Sequence, residues 1–503
     1  MTLRTESPVR RSRFPRLDSV LPLAAWQSAS DGHRAFVLAC FCAATFVLVN
    51  WRNYVVDDIP QSLVPVTLWR EGTIRLDSYR PDYEKFKETR QEYAFTEAGG
   101  HLYPRNSVYV SLLVAPFYLP PVLGGVNLHN LRFWVAWGGV CVAGWTACAV
   151  ALTYLTLLRW GDSSSALVLS LLYAFGTCLW TIIAHTIYDH LGGLVCVAAL
   201  VFVLDRLPLP APRAFVAAFL AGAAVGMRPS TLVLLLPLGL YLFFWPGIFR
   251  GWQARLAALV GVVLIPLSNA VLNSWCFGGW NKTGYPADLA NDWGNPWWEG
   301  LTGLLIAPNS GLFTQSPFTL LAVVGGWWVW TRTDVSQHGL LRAYTLCFVA
   351  YWLLFAHRNQ WQGGLDFSTR YLSEGYPLWM PLVMVGWNAV RPWRGGKLFL
   401  AIAGAWSVLY QLANIATFDA ITHLNPPHIP WDPRRHFFMV YLGEWGWRSA
   451  ARAILLTVAQ FVLCVLALAC MLRPLLKPGA AGGGETAPKG PDREFPKNSA
   501  GPV

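Results

Sequence analysis

The chain has 503 residues, of which 54% are hydrophobic and only 13% charged, with a mean hydropathy of +0.39. Soluble domains carry about a quarter charged residues, so the composition excludes an ordinary soluble protein and points to a polytopic membrane protein. In such a chain a net charge of +11 reads as arginines anchoring short loops on one side of a bilayer, and no nucleic-acid partner is expected.

Residues 1–33 form a basic tail with Arg4, Arg10, Arg11, Arg13 and Arg16. The first apolar run lies too far from the start, and is too long, for an ordinary signal peptide, so it reads as a retained first span. Where it ends, Asp57 and Asp58 open the stretch VDDIPQSLVPVTLWREG, residues 56–72. A carboxylate at such a boundary either marks the interface and caps the next helix, or stays ionised in a watery cleft and acts as a general base.

Apolar length predicts about twelve spans: 34–52, 131–158, 164–184, 190–205, 213–227, 230–249, 256–274, 315–331, 342–357, 371–390, 398–417 and 452–472. The run 107–125 is left out because Pro116, Pro120 and Pro121 argue against a straight span. Counting it would also invert every downstream loop; it is expected as a juxtamembrane or re-entrant helix. With it excluded, Arg159, Arg213, Arg250, Arg255, Arg332, Arg342, Arg391 and Arg394 all fall on the side of both termini, which the positive-inside rule makes cytoplasmic. The expected fold class is all-α: about twelve transmembrane helices over 34–473, with exterior juxtamembrane helices. The first exterior loop is 53–130, and the tail 474–503, rich in Gly, Pro and Ala, is expected to be disordered.

Exterior polar residues then collect at helix ends. Arg105, in LYPRNS, either snorkels at the interface or meets an anion. His185, Tyr188, Asp189 and His190, in AHTIYDH, separate two apolar runs and are read as substrate-binding candidates. Arg228, in GMRPS, stands against the positive-inside trend and needs a partner, either a lipid-linked phosphate or a carboxylate such as Asp189. In QWQGGLDFSTRYLSEGYP, residues 360–377, Arg370 sits at the exterior start of a span, and Glu374 is spaced to pair with it if the segment is α-helical.

The acidic pair after the first span, the glycine at 72, and the Trp361, Gly363-Gly364, Arg370-Tyr371-Leu372 and Pro377 pattern resemble the GT-C membrane glycosyltransferases. The nearest likeness is to the aminoarabinose-transferase and protein-mannosyltransferase branch. The usual pair there is Asp-Glu with an aromatic three places on, whereas this chain has Asp57-Asp58 and Gln61. WWEGLTGLLIAPNSGLFTQSP, residues 297–317, is similar to an exterior loop of the same family, with an amphipathic helix and a Gly-Leu-Phe turn.

The resemblance implies an enzyme of a bacterial inner membrane that moves a sugar from a polyprenyl-phosphate donor to a glycan, lipid or protein acceptor. It implies Asp57 as the base with Asp58 beside it. Arg370, Arg228 and Arg105 would hold the donor phosphate, and Trp361 and Tyr371 would lie against substrate. No cofactor is required, and Asp189 is a candidate to help hold a divalent cation. The rival reading is a twelve-helix secondary transporter or a non-catalytic lipid-binding relative. The long first loop and the lack of a visible half repeat stand against a transporter.

Overall fold

The computed structural model describes residues 29–49, 58–88, 94–204, 207–245, 248–285, 292–332, 335–363, 369–417, 431–435 and 437–472. Residues 1–28, the tail from 473, and Asp57 lie outside the described residues.

Helix α1, Asp31–Val49, starts at Ser30, whose hydroxyl accepts from the His33 N–H at 3.3 Å. Helix α2, Asp58–Glu71, ends at Gly72, whose φ of 67° suits a residue without a Cβ. Helix α3, Arg80–Glu88, precedes a small antiparallel hairpin, β1 Phe95–Ala98 and β2 His101–Pro104. The hairpin turns on Gly99 and Gly100, both at positive φ, and is an addition to the all-α expectation.

The proline-bearing run forms helix α4, Val108–Leu123, packed on α2. Helix α5, Leu131–Leu157, is capped by Asn130, and α6, Ser163–Phe175, by Asp162. Then come α7 Asp189–Leu204, α8 Ala211–Met227, α9 Thr231–Phe244 and α10 Gly251–Phe277. The second half has α11 Trp297–Ile306, α12 Leu312–Gln315, α13 Leu320–Thr331, α14 Val335–Ala356, α15 Tyr376–Val390, α16 Arg394–Thr417 and α17 Phe437–Leu472, kinked at Gly446. The expected Gly-Leu-Phe turn instead begins α12, with Gly311 just before it. A side chain at 311 would meet the Ala307 backbone, so the glycine lets the chain fold back there.

The protein is an all-α polytopic membrane protein. Among the described residues, six helices are long and apolar enough to cross a membrane: α1, α5, α10, α14, α16 and the part of α17 from Gly446. The other expected spans fall on shorter helices, α6, α7, α8, α9, α13 and α15. A helix of 14 residues such as α9 rises only about 21 Å, against a hydrocarbon core of about 30 Å. Irregular turns lengthen several of them: a π turn at Leu179–Ile183 after α6, and 3₁₀ turns at Pro317–Thr319 before α13 and Arg370–Gly375 before α15. Non-helical backbone at membrane depth is tolerated where protein buries it, and the residues of all three turns are largely buried.

Glycine pairs set two helix crossings. A Cβ at Gly325 or Gly386 would lie 2.0 or 1.9 Å from a carbonyl oxygen of the other helix, so α13 and α15 meet backbone to backbone. Gly222 and Gly261 do the same for α8 and α10. Helix α7 is buried on nearly every side, whereas α10 leaves most of its apolar side chains uncovered, as a lipid-facing helix does.

The loops sort into two ends. At one end, Arg34 Nη1 donates to Ser163 Oγ at 2.8 Å, Arg391 pairs with Asp162, and Asn388 donates to the Trp160 carbonyl at 2.6 Å. At the other, Thr96 Oγ1 donates to the Gly284 carbonyl at 2.6 Å, the Gly294 N–H to His357 O at 3.0 Å, and Asn309 to Asp432 O at 2.8 Å. Short basic loops therefore meet one another, and long polar loops meet one another.

Candidate functional site

The long-loop end is organised by the turn between Ala184 and α7. Its successive residues serve different partners. Ile187 reaches Gly138 of α5, where a Cβ would lie 2.7 Å from Ile187 Cδ1, 2.6 Å from Tyr118 Oη and 3.0 Å from Ser62 Oγ. Gly138 is thus where α2, α4, α5 and the turn converge. Tyr188 lies under Arg370, whose guanidinium carbon is 5.5 Å from the ring centroid. Asp189 lines an open cleft together with Arg105. His190 enters the interior.

Inside, Glu374 is fully buried and is the hub. Arg228 Nη1 donates to Glu374 Oε1 at 2.6 Å, and His190 Nδ1 lies 2.9 Å from the same oxygen. Arg228 also contacts both ring nitrogens of His190. The Tyr351 and Ser373 hydroxyls each donate to Glu374 Oε2 at 3.2 Å, and Arg228 Nε donates to Ser230 at 3.0 Å. Gly193 of α7 makes the room, since a Cβ there would stand 2.9 Å from Glu374 Cγ.

Two expected pairings are corrected here. Glu374 pairs with Arg228 and His190, and among the described residues shows no ion pair with Arg370. Residues 370–375 form a 3₁₀ turn, whose three residues per turn set i and i+4 about 120° apart. Arg228 finds its carboxylate in Glu374 rather than Asp189.

Next to this hub lies Tyr371, stacked on Phe355 at 4.8 Å with the rings 7° apart. The guanidinium carbons of Arg358, Arg370 and Arg228 lie 4.7, 5.4 and 5.6 Å from the Tyr371 ring centroid. Arg358, which sequence reasoning missed, also reaches Asp292 at 3.5 Å, and the neighbouring segment is pinned by the Trp297–His357 stack. Three guanidiniums thus gather around one aromatic ring at a helix end, with Glu374 and Asp292 offsetting part of the charge of Arg228 and Arg358.

The remaining candidates are dispersed. Asp58 is buried in the first turn of α2. The Ser111 hydroxyl donates to the Gln61 backbone carbonyl at 3.0 Å and also contacts the side-chain amide oxygen, which ties α2 to α4; an aromatic ring at 61 would keep the first contact and lose the second. Arg105 lies 4.6 Å over the Tyr285 ring. His185 is partly buried, and its backbone carbonyl backs onto Gly139 of α5. Trp361 departs from the expected sugar platform: it is only 3% exposed, and its ring occupies the space that a side chain at Gly303 of α11 would fill. Gly363 has φ 97°, and Gly364 lies outside the described residues. Among the described residues no group of three or more His, Cys, Asp or Glu side chains could hold a metal ion.

Outside the bundle, the hairpin is bound to the turn before α3 through Asp77. Its carboxylate accepts from the Leu102 N–H at 2.9 Å, lies 2.7 Å from His101 Nδ1, and stands near Arg80. Partial burial works against the charge, yet these three neighbours outweigh it and hold the Asp77 carboxyl below the usual carboxylate range.

No family model matches the chain, and no curated protein matches it. A solved structure similar to it is that of ArnT from Cupriavidus metallidurans bound to undecaprenyl phosphate. The TM-score is 0.47 at 15% identity, over 88% of this chain and 77% of that one.

Proposed function

We propose that this chain is a membrane glycosyltransferase that takes a sugar from a polyprenyl-phosphate donor and passes it to an acceptor at the long-loop end of the bundle. The observation that carries the reading is the set of guanidiniums around Tyr371, reached through the 185–190 turn from the helix that begins at Asp58. Arg370, with Arg358 and Arg228 behind it, holds the donor phosphate, and Arg105 supplies a further cation from the neighbouring cleft. The acidic pair supplies the base.

In the reaction the acceptor hydroxyl oxygen forms a bond to the anomeric carbon while the bond from that carbon to phosphate oxygen breaks. Polyprenyl phosphate leaves with the electron pair, stabilised by the arginines, and the hydroxyl proton passes to Asp57. The displacement inverts the anomeric centre. The long-loop end faces the exterior of a bacterial inner membrane, with both termini cytoplasmic.

The test is mass spectrometry of membrane lipids and glycans with and without the gene, repeated with Asp57→Asn and Asp58→Asn. Loss of a general base costs on the order of 100- to 10,000-fold in turnover. A glycosyl mass that disappears with the gene and with Asp57→Asn supports the reading. Unchanged glycans together with ion-gradient-dependent solute flux in vesicles would establish a transporter instead.

A further inference from the structure

Helix α7 leads from the His190 end of the bundle to the opposite end, about 24 Å away over its 16 residues. There the loop before α8 and the loop before α10 are tied together. The Leu209 N–H donates to the Ile248 carbonyl at 2.7 Å, and the Arg250 N–H donates to the Leu209 carbonyl at 3.1 Å. Helices α8 and α10 start from this tie and close on each other at Gly222 and Gly261. Between the tie and that contact α9 stands off from α10, which leaves a groove with about 190 Å³ of free room.

Ala217 and Ala221 of α8 make its floor, with Leu238 of α9 and Leu200 of α7 beside them. Leu238 is 1% exposed, whereas Leu259 and Phe243 on the rims are 60% and 56% exposed. The groove therefore opens sideways, along the lipid-facing flank of α10, and reaches inward to α7. From Ala214 to Ala221 it runs about 10 Å along α8. Gly239 of α9 lies on it, and a Cβ there would meet nothing within 4 Å. Apart from Arg255 the lining is wholly apolar. Such a slot takes hydrocarbon, because water would find no hydrogen-bond partners along it and an empty slot forfeits dispersion contacts.

Arg255, one turn into α10, gives the groove a charged mouth. It is exposed and makes no ion pair among the described residues. The helix ends around it add to its potential. Neither α8 nor α10 has an acidic residue in its first turn or a side chain capping its N–H groups, and Arg250 stands at the cap of α10. A helix start favours an anion, so both starts and Arg255 ask for the same kind of ligand. Trp245 ends α9 and Trp252 begins α10, both exposed, as indole rings are at the level of lipid headgroups. We infer that this groove is a site for an anionic glycerophospholipid, with one acyl chain between α9 and α10 and the headgroup phosphate on Arg255. A zwitterionic headgroup would bring an ammonium, for which the lining offers no carboxylate. The site lies at the far end of α7 from the Tyr371 arginines and does not rest on the glycosyl-transfer reading.

The experiment is native mass spectrometry of the full chain in detergent, titrated with phosphatidylglycerol or with phosphatidylcholine of the same acyl chains. The first phosphatidylglycerol should bind about tenfold more tightly, the equivalent of one charge-assisted hydrogen bond. Arg255→Gln should abolish that preference and leave phosphatidylcholine binding as it was. Gly239→Leu, whose side chain enters the groove, should weaken both lipids. Neither change breaks an ion pair or meets a neighbour, and melting temperature checks the folding of each. If one variant does not fold, the other carries the test.

Polyprenyl phosphate, added as a competitor, should leave the bound phosphatidylglycerol in place. Displacement by it would assign the groove to that lipid and overturn the proposal. Equal binding of the two phospholipids by the unaltered chain would do the same. So would a preference that survives Arg255→Gln, or a Gly239→Leu variant that binds both lipids as tightly as the unaltered chain.

Discussion

At the scale of single residues, the largest energetic stake is Glu374. Its side chain is 0% exposed and that of Arg228 7%, so removing one partner strands the other in a low-dielectric interior. Glu374→Ala should cost about 3–5 kcal/mol of stability, read as a fall in detergent-solubilised melting temperature. Replacing the hub as a whole, with Glu374→Leu, Arg228→Met and His190→Leu together, should recover much of that loss. A destabilisation by the triple change as large as that of Glu374→Ala would show that the hub stabilises beyond mutual neutralisation. Arg370 is tested by function: Arg370→Ala should weaken donor binding, and Arg370→Lys should restore only part of it, because lysine lacks the planar fork. A fully active lysine variant would exclude bidentate recognition of the phosphate.

Elements were legible in the sequence where the signal is local. The apolar runs marked the positions of the helices, and Ser30, Asn130 and Asp162 stand where caps belong. The Gly99-Gly100 pair is also a local signal, and it announces the hairpin that an all-α reading passes over. What could not be read was pairing at a distance. Arg228 and Glu374 are 146 positions apart, and nothing in either neighbourhood names the other. The expected i,i+4 pair failed because residues 370–375 wind as a 3₁₀ turn. Likewise Trp361 could not be seen to be buried until α11 offered Gly303 to its ring.

Gly386→Val should force α13 and α15 apart, at about 1–3 kcal/mol or more, measurable as a lowered melting temperature. The hairpin should be pH-dependent. Since Asp77 titrates below an ordinary carboxylate when folded, its contribution is present above the usual carboxyl range and is lost as pH falls through the folded-state value. The protection factor of the Leu102 N–H, its exchange rate relative to the unprotected rate at the same pH, should fall on acidification through that range, and Asp77→Asn should remove that change. A Leu102 protection factor that ignores pH in the unaltered chain would show that the carboxylate does not secure the hairpin.

For the whole molecule, the sorting of loops into two ends predicts labelling. Cysteines placed at 80, in the 285–295 loop and in the 420–440 loop should react with an impermeant thiol reagent from outside intact cells. A cysteine at 335 should react only after permeabilisation. Labelling of positions 80 and 335 from the same side would remove the basis for an exterior site.

The hub also has a consequence in time. His190 and Arg228 leave the ribosome long before Glu374, which follows Arg228 by 146 residues. At about 5–20 residues per second, that interval lasts roughly 7–30 seconds. Throughout it, a guanidinium sits beside freshly inserted apolar helices with its counter-ion not yet synthesised. The nascent chain must therefore keep Arg228 at the water boundary, or in the shelter of the insertion machinery, until the second half arrives. Translation stalled between these two positions leaves a half-built bundle with an orphan cation, the kind of intermediate that membrane quality control removes.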